Sequence, residues 1–335
     1  MSKEFEFHQH AAHCESGVMS TLMRHSGLEI SEPMAFGLSS ALNFAYLPFV
    51  KINGQPLIAY RMPPRFIINK LSKRVGATLK VKKFSSEEKG QQALDAQLKN
   101  NRLVGLQTSV FWLPYFPKEM RFHFNAHNLL VYGKEGNDYL ISDPVISHTV
   151  TCEQDALRKA RFAKGALAPK GAMYYLEDVP DKIDFSSCIK SALKDTTRIV
   201  DGLPIPIAGI RGIRFMAKKI ARLSPDDAVH HKNSLFLGHI IRMQEEIGTG
   251  GAGFRFMYAS FLQESAAILQ SEELEGISET MTNTGDLWRD FAMNTVKYCK
   301  GRGNVTLSNL SDNLMECASA EQIIINNIKD FVKNQ

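Results

Sequence analysis

The chain has 335 residues, 44% of them apolar, and a formal net charge of +5. That length suits two domains, or one large one, with a real core, and no run of about 18 uncharged apolar residues marks a membrane-spanning helix. Met1-Ser2-Lys3-Glu4-Phe5 lacks the apolar stretch of a signal peptide, and the five cysteines are odd in number and show no CxxC spacing. A disulfide framework and a structural zinc site are thereby disfavoured, and a cytoplasmic protein with free thiols is expected.

In chain order, the first predicted element is a helix from Cys14 to about Arg24, with Val18, Leu22 and Met23 forming its apolar stripe. Short strands follow at Phe44 to Val50 and Leu57 to Tyr60, around an Asn53-Gly54 turn. After Pro63-Pro64 come a helix over Arg65 to Val75, a strand over Thr78 to Lys82, a helix over Glu87 to Asn100 and a strand over Leu103 to Thr108. A loop with Pro114 and Pro117 leads to a hairpin whose first strand opens at His127 and whose second closes at Asp143. Lys134 to Asp138 supplies its polar turn, and a hairpin centred near Glu135 sets His127 opposite Asp143. One more apolar stretch, Ala172 to Leu176, completes this half, and Asp178 to Asp181 reads as a boundary. Beyond it the pattern is helical: Phe185 to Val200, Ile207 to Arg222, Pro225 to Ile247, Phe254 to Gln270, Asp286 to Lys300 and Ser319 to Val332, with Ser224 as the cap before Pro225. The expected class is α+β, with residues 1–180 forming a catalytic domain and 181–335 a mostly helical domain that covers its cleft.

A cysteine at a helix start, a histidine opening one strand and an aspartate closing the next are the parts of a thiol nucleophile system, in the papain-like order. Cys14 is the candidate nucleophile, because helix N-termini and a nearby imidazolium favour a thiolate. His127 is the candidate base, and Asp143 the residue that orients it. Each has an ordinary structural alternative: a small buried thiol, a hydrogen-bonded core histidine, an Asp-Pro turn. The joint pattern outweighs the three taken singly. Two donors are needed for an oxyanion, and the candidates are the Cys14 N–H and the Gln9 side chain. No spacing of His, Cys or Asp suits a metal, so none is expected.

Two further features stand apart. Tyr60 to Lys83 holds eight basic residues and no acidic one, and Ser186 to Leu235 holds nine basic and four acidic. Such stretches suit an acidic protein partner or a solvated face. They do not suggest nucleic acid, because no binding motif accompanies them. Gly248-Thr249-Gly250-Gly251-Ala252-Gly253-Phe254-Arg255 is neither a P-loop nor a dinucleotide fingerprint. It reads either as a tight connection between helices or as a substrate loop in which Gly250, Gly251 and Arg255 meet the donor or acceptor.

His13-Cys14-Glu15, Ser31 to Leu38, the block His127 to Pro144 and the stretch GTGGAGFRFMYASFLQE at Gly248 to Glu264 together resemble the butirosin biosynthesis protein H family. The resemblance implies a papain-like cysteine fold used for acyl transfer, with Cys14 as nucleophile, His127 as base and Asp143 as orienting residue. It also implies a phosphopantetheine-linked acyl donor, on an acyl carrier protein or as coenzyme A, no bound cofactor and an amine-bearing small-molecule acceptor. The expected activity is therefore a cysteine-dependent N-acyltransferase forming an amide. The alternatives are a cysteine hydrolase of the same fold (peptidase, amidase or thioesterase) and a non-catalytic module that binds a carrier protein.

Overall fold

The computed structural model describes residues 5–52, 54–202 and 205–334. Asn53 of the expected turn lies outside them. The chain divides into two compact units, one of residues 1–35 with 67–183 and one of 36–66 with 184–335.

The first unit is built on a six-stranded antiparallel sheet in the order β3-β8-β4-β5-β6-β7. Its strands are β3 (Thr78–Lys82), β4 (Val104–Thr108), β5 (His127–Glu135), β6 (Asp138–Ser142), β7 (Val150–Glu153) and β8 (Met173–Asp178). Strand alternation places Val104, Leu106, Leu129, Val131, Tyr139, Ile141, Met173 and Tyr175 in one buried cluster, which helices α4 (Glu87–Lys99) and α5 (Gln154–Arg161) join through Leu94 and Leu157. Helix α1 (Cys14–His25) packs on β5 and is buried along almost its whole length. The hairpin register differs from the expected one. Leu130 pairs with Ser142, and an irregularity between Val131 and Gly133 shifts the ladder by one residue. Continued one step, that ladder sets Asp143 level with Leu129, so His127 meets it diagonally rather than directly across.

Two features lock the start of α1. Glu15 is fully buried, and its Oε1 accepts the N–H groups of Ile67 and Ile68 at 3.0 and 3.3 Å. These are donors of the first turn of α3 (Phe66–Val75), which has no intrahelical partner for them. Gly17 lies so close to the Asp143-Pro144 corner that a β-carbon there would stand 2.6 Å from the Pro144 Cβ and 2.7 Å from the Ala11 Cβ.

The second unit holds α6 (Phe185–Thr197), α7 (Gly209–Ala221), α8 (Asp227–Ile241), α9 (Arg255–Leu269), α10 (Glu272–Cys299) and α11 (Leu307–Asn334), together with the antiparallel pair β1 (Leu42–Ile52) and β2 (Gln55–Arg61). The sequence boundary had assigned that pair to the first domain. It groups with the helices because its aromatic side chains are part of their core: Phe44 and Tyr60 pack against the buried Trp288 with ring centroids 6.0 and 5.6 Å apart. Helix α2 (Glu32–Leu38) and α5 had no counterpart in the sequence reading, and α10 and α11 are each about twice the expected length. The cap of α8 is Asp226, whose carboxylate accepts the Ala228 N–H at 2.9 Å, while Ser224 sits two residues earlier. Among the described residues no helix is long and apolar enough to cross a membrane.

Gly17→Ala is expected to displace the Pro144 corner. Intrinsic helix propensity would favour alanine by about 1 kcal/mol, so a lowered urea midpoint together with slower Cys14 alkylation would identify the steric contact as dominant; a gain in stability would contradict it.

Candidate active site

Cys14 is the first residue of α1, and the segment before it is held on several sides. The His13 imidazole caps the helix by accepting the Ser16 N–H at 3.3 Å. The Glu32 carboxylate accepts the Ala12 and His13 N–H groups at 2.9 and 2.8 Å and the Ser16 hydroxyl at 3.0 Å. Burial raises the Glu32 carboxyl above its ordinary value, and these three donors work in the opposite direction. Further upstream the Ala11 N–H donates to the Pro144 carbonyl at 2.6 Å, His8 Nδ1 is hydrogen-bonded to Ser142 Oγ at 2.8 Å, and Phe5 stacks on Tyr132. The N-terminal strap is thus tied to the same corner that carries Asp143. Among the described residues the Cys14 N–H has no acceptor, as expected of the first N–H of a helix.

His127 opens β5, and its Nε2 lies 2.6 Å from Asp143 Oδ2. That contact leaves Nδ1 as the ring nitrogen for the Cys14 thiol, whose hydrogen bond is among the interactions that raise the imidazole's pKa. Phe116 stands edge-on to the ring, with centroids 5.5 Å apart. All three side chains are buried: Cys14 is 7% exposed, His127 4% and Asp143 0%. Burial opposes a charge on His127, but the Asp143 carboxylate, its hydrogen bond and the Cys14 thiol outweigh it and push the imidazole up to about 10.

Asp143 has partners beyond His127. The Tyr115 hydroxyl donates to the same Oδ2 at 2.8 Å, and the Val145 N–H donates to Oδ1 at 3.2 Å. Burial, with the carboxylate beside it, holds the Tyr115 phenol well above its ordinary pKa, so at neutral pH it keeps its proton and donates it to Asp143. Sequence reasoning missed Tyr115, whose only signal is a place between Pro114 and Pro117 in an aromatic loop. It missed Asn128 as well, whose amide Nδ2 lies 3.9 Å from Cys14 Sγ.

The structure therefore brings together Cys14, His127 and Asp143. Gln9 is exposed between the pinned residues His8 and Ala11, and its side chain makes no hydrogen bond among the described residues. The glycine motif is a different matter. Gly250 and Gly251 adopt φ of +71° and +89°, and Phe254 is left-handed at +72°, which compresses the turn before α9. The turn's own amides are used internally: the Gly251 N–H goes to Thr249 Oγ1 at 3.1 Å and the Ala252 N–H to the Glu245 carboxylate. Arg255 does not serve a ligand. It is 0% exposed, ion-paired to Glu321 at 2.8 Å, bonded to the Gly253 carbonyl at 2.7 Å and stacked over Trp288 at 4.7 Å. A guanidinium sealed from solvent, with Nε, Nη1 and Nη2 each engaged inside the protein, presents no face to a carboxylate or phosphate in solution. Among the described residues no three His, Cys, Asp or Glu side chains are grouped to hold a metal ion.

Two families account for most of the chain. Residues 13–144 match butirosin biosynthesis protein H, N-terminal, and residues 155–328 match a domain of unknown function, DUF4872. The chain carries the N-terminal domain of the butirosin biosynthesis protein H family, followed by a DUF4872 domain that spans just over half of it. Its glycine motif and the Arg255–Glu321 pair fall within the second match, and Cys14, His127 and Asp143 within the first. A solved structure described as a C39-like peptidase from Bacillus anthracis is similar at 11% identity and a TM-score of 0.34, over 53% of this chain and 93% of that one. No curated protein matches the chain.

The raised His127 value has a consequence for stability. A group whose pKa is higher in the folded state stabilises fully below its unfolded value, about 6.5, and loses that contribution as pH rises through about 10. The urea midpoint is expected to fall between pH 6.5 and 10, and Asp143→Asn to flatten that fall; parallel profiles would contradict the pairing. Arg255→Ala leaves Glu321 buried without its partner and is expected to cost about 3–5 kcal/mol, read by denaturant unfolding. Cys14 alkylation in the folded fraction is expected to stay unchanged, whereas a role for Arg255 at the Cys14 thiol would slow it.

Proposed function

We propose that this protein is a cysteine-dependent acyltransferase that moves an acyl group from a thioester to an amine. The observation that carries the reading is the buried alignment of Cys14, His127 and Asp143, and the match of residues 13–144 to the butirosin biosynthesis protein H N-terminal domain supports a biosynthetic rather than a degradative use.

His127 Nδ1 takes the thiol proton, and Sγ attacks the thioester carbonyl. The proposed donors to the negative oxygen that develops are the Cys14 N–H and, as a second donor that would have to turn inward from its exposed position, the Gln9 side chain. Collapse of the tetrahedral intermediate breaks the donor's C–S bond; His127 returns the proton to the departing thiol, leaving an acyl-Cys14 thioester. An amine then attacks the acyl carbon, His127 Nδ1 takes its proton, and Sγ leaves as the amide forms. Asp143 keeps Nε2 protonated and stabilises the charged ring in both halves. Exchange between thioesters is nearly balanced in energy, so amide formation drives the sequence forward. Scarcity of water around a thiol that is 7% exposed favours the amine over hydrolysis.

The donor is proposed to be a phosphopantetheine thioester on an acyl carrier protein. Lys73, Lys80, Lys82 and Lys83, all exposed on α3, β3 and the residue after it, offer an acidic carrier a complementary face.

The deciding experiment incubates the protein with an acyl thioester, with and without amines, and follows both products and intact mass. An acyl adduct that is absent in Cys14→Ala, and an amide that appears only with amine, are expected. Free acid alone, at a rate indifferent to amine, would establish a hydrolase instead. Asp143→Asn is expected to slow acylation by roughly 10³- to 10⁴-fold, the scale of the equivalent change in serine triads.

A further inference from the structure

Asn128 lies next to the catalytic histidine in sequence, but its side chain serves the nucleophile. Its amide Nδ2 is 3.9 Å from Cys14 Sγ and 3.2 Å from the Ala126 carbonyl, and its Oδ1 is 3.1 Å from the Tyr174 hydroxyl. The orientation of the amide is fixed by these partners. A carbonyl oxygen only accepts, so the atom facing Ala126 is the NH2 group, and its second hydrogen is left for Sγ. Tyr174 must then donate to Oδ1. Burial holds the Tyr174 phenol well above its ordinary pKa, with the nearby Glu15 and Cys14 charges acting in the same direction, so it remains a donor. The backbone makes room for this chain of donors: Tyr174 pairs with Gly105 across the β4–β8 ladder, and a β-carbon at Gly105 would fall within the Tyr174 ring. Asn128 is 2% exposed and Tyr174 2%, so water does not compete for either group.

We propose that Asn128 is a further catalytic residue, whose amide N–H, aligned by Tyr174, stabilises the Cys14 sulfur in its ionised form before attack. The inference rests on the reading of Cys14 as nucleophile and His127 as its base. His127 removes the proton; Asn128 holds the charge that is left on sulfur and releases it as the charge passes to the substrate oxygen. A donor to an anion, polarised by a second hydrogen bond in a dry setting, is stronger than the same amide in water. Asn128→Ala would remove the donor without touching the His127–Asp143 pair.

The test is the rate of Cys14 alkylation by iodoacetamide as a function of pH, with the folded state of each variant checked by circular dichroism. For Asn128→Ala the midpoint of the profile is expected to move to higher pH, with about tenfold slower alkylation at pH 7. An unchanged profile in the folded variant would overturn the proposal. If Asn128→Ala does not fold, Tyr174→Phe keeps the ring over Gly105 and is expected to shift the midpoint in the same direction by less; no shift would overturn the proposal. In the wild type, the Asn128 side-chain ¹⁵NH₂ resonances are expected to move as Cys14 titrates and to stay still in Cys14→Ser. Failure of the underlying reading is separately visible, because His127→Ala would then leave the wild-type profile unaltered.

Discussion

The buried carboxylate of Asp143 is the constraint around which the first unit is arranged. It is wholly shielded from water, so its charge must be matched by protein groups. His127, Tyr115 and the Val145 N–H do so. The next residue, Pro144, takes the Ala11 N–H on its carbonyl and seats its ring against Gly17. One corner at the end of β6 therefore fixes both the His127 ring and the start of the Cys14 helix. The distances among Cys14, His127 and Asp143 follow from packing rather than from any local preference of the three residues.

The second unit uses similar groups for another end. Arg255 and Glu321 also form a buried ion pair, bounded by Trp288, whose indole N–H donates to the same carboxylate oxygen at 2.8 Å. The difference lies in what each pair leaves unspent. His127 gives one ring nitrogen to Asp143 and keeps the other for the Cys14 thiol, the arrangement that the proposed proton transfer uses. Arg255 directs its donors to Glu321 and Gly253, so the pair specifies a core and has no chemistry left.

Much of the first unit was legible in the chain. The Cys14 helix, the His127–Asp143 hairpin and β3 could be read from period, turn residues and flanking prolines, because these elements are local and their apolar faces are regular. Helix α5 escaped notice because it is short and carries three basic residues in its last turn. The early halves of α10 and α11 escaped because Ser, Thr, Asn and Glu interrupt their apolar stripes. The glycine motif looked like a ligand loop, since glycines that relieve a turn and glycines that admit a ligand are the same residues in a sequence. Burial alone separates them.

The sequence by itself determined which chemistry is available: a thiol at a helix start, an imidazole and a carboxylate at strand ends, in a fixed order. Residue type and local period suffice for that. Only the tertiary structure decided which groups meet. A one-residue irregularity in β5 sets the diagonal between His127 and Asp143, Tyr115 and Asn128 arrive at the site with no motif to announce them, and β1–β2 joins the helical unit because Phe44 and Tyr60 find Trp288 there. Each of these outcomes depends on contacts between residues distant in the chain, and long-range packing leaves no periodic trace in the residues that take part in it.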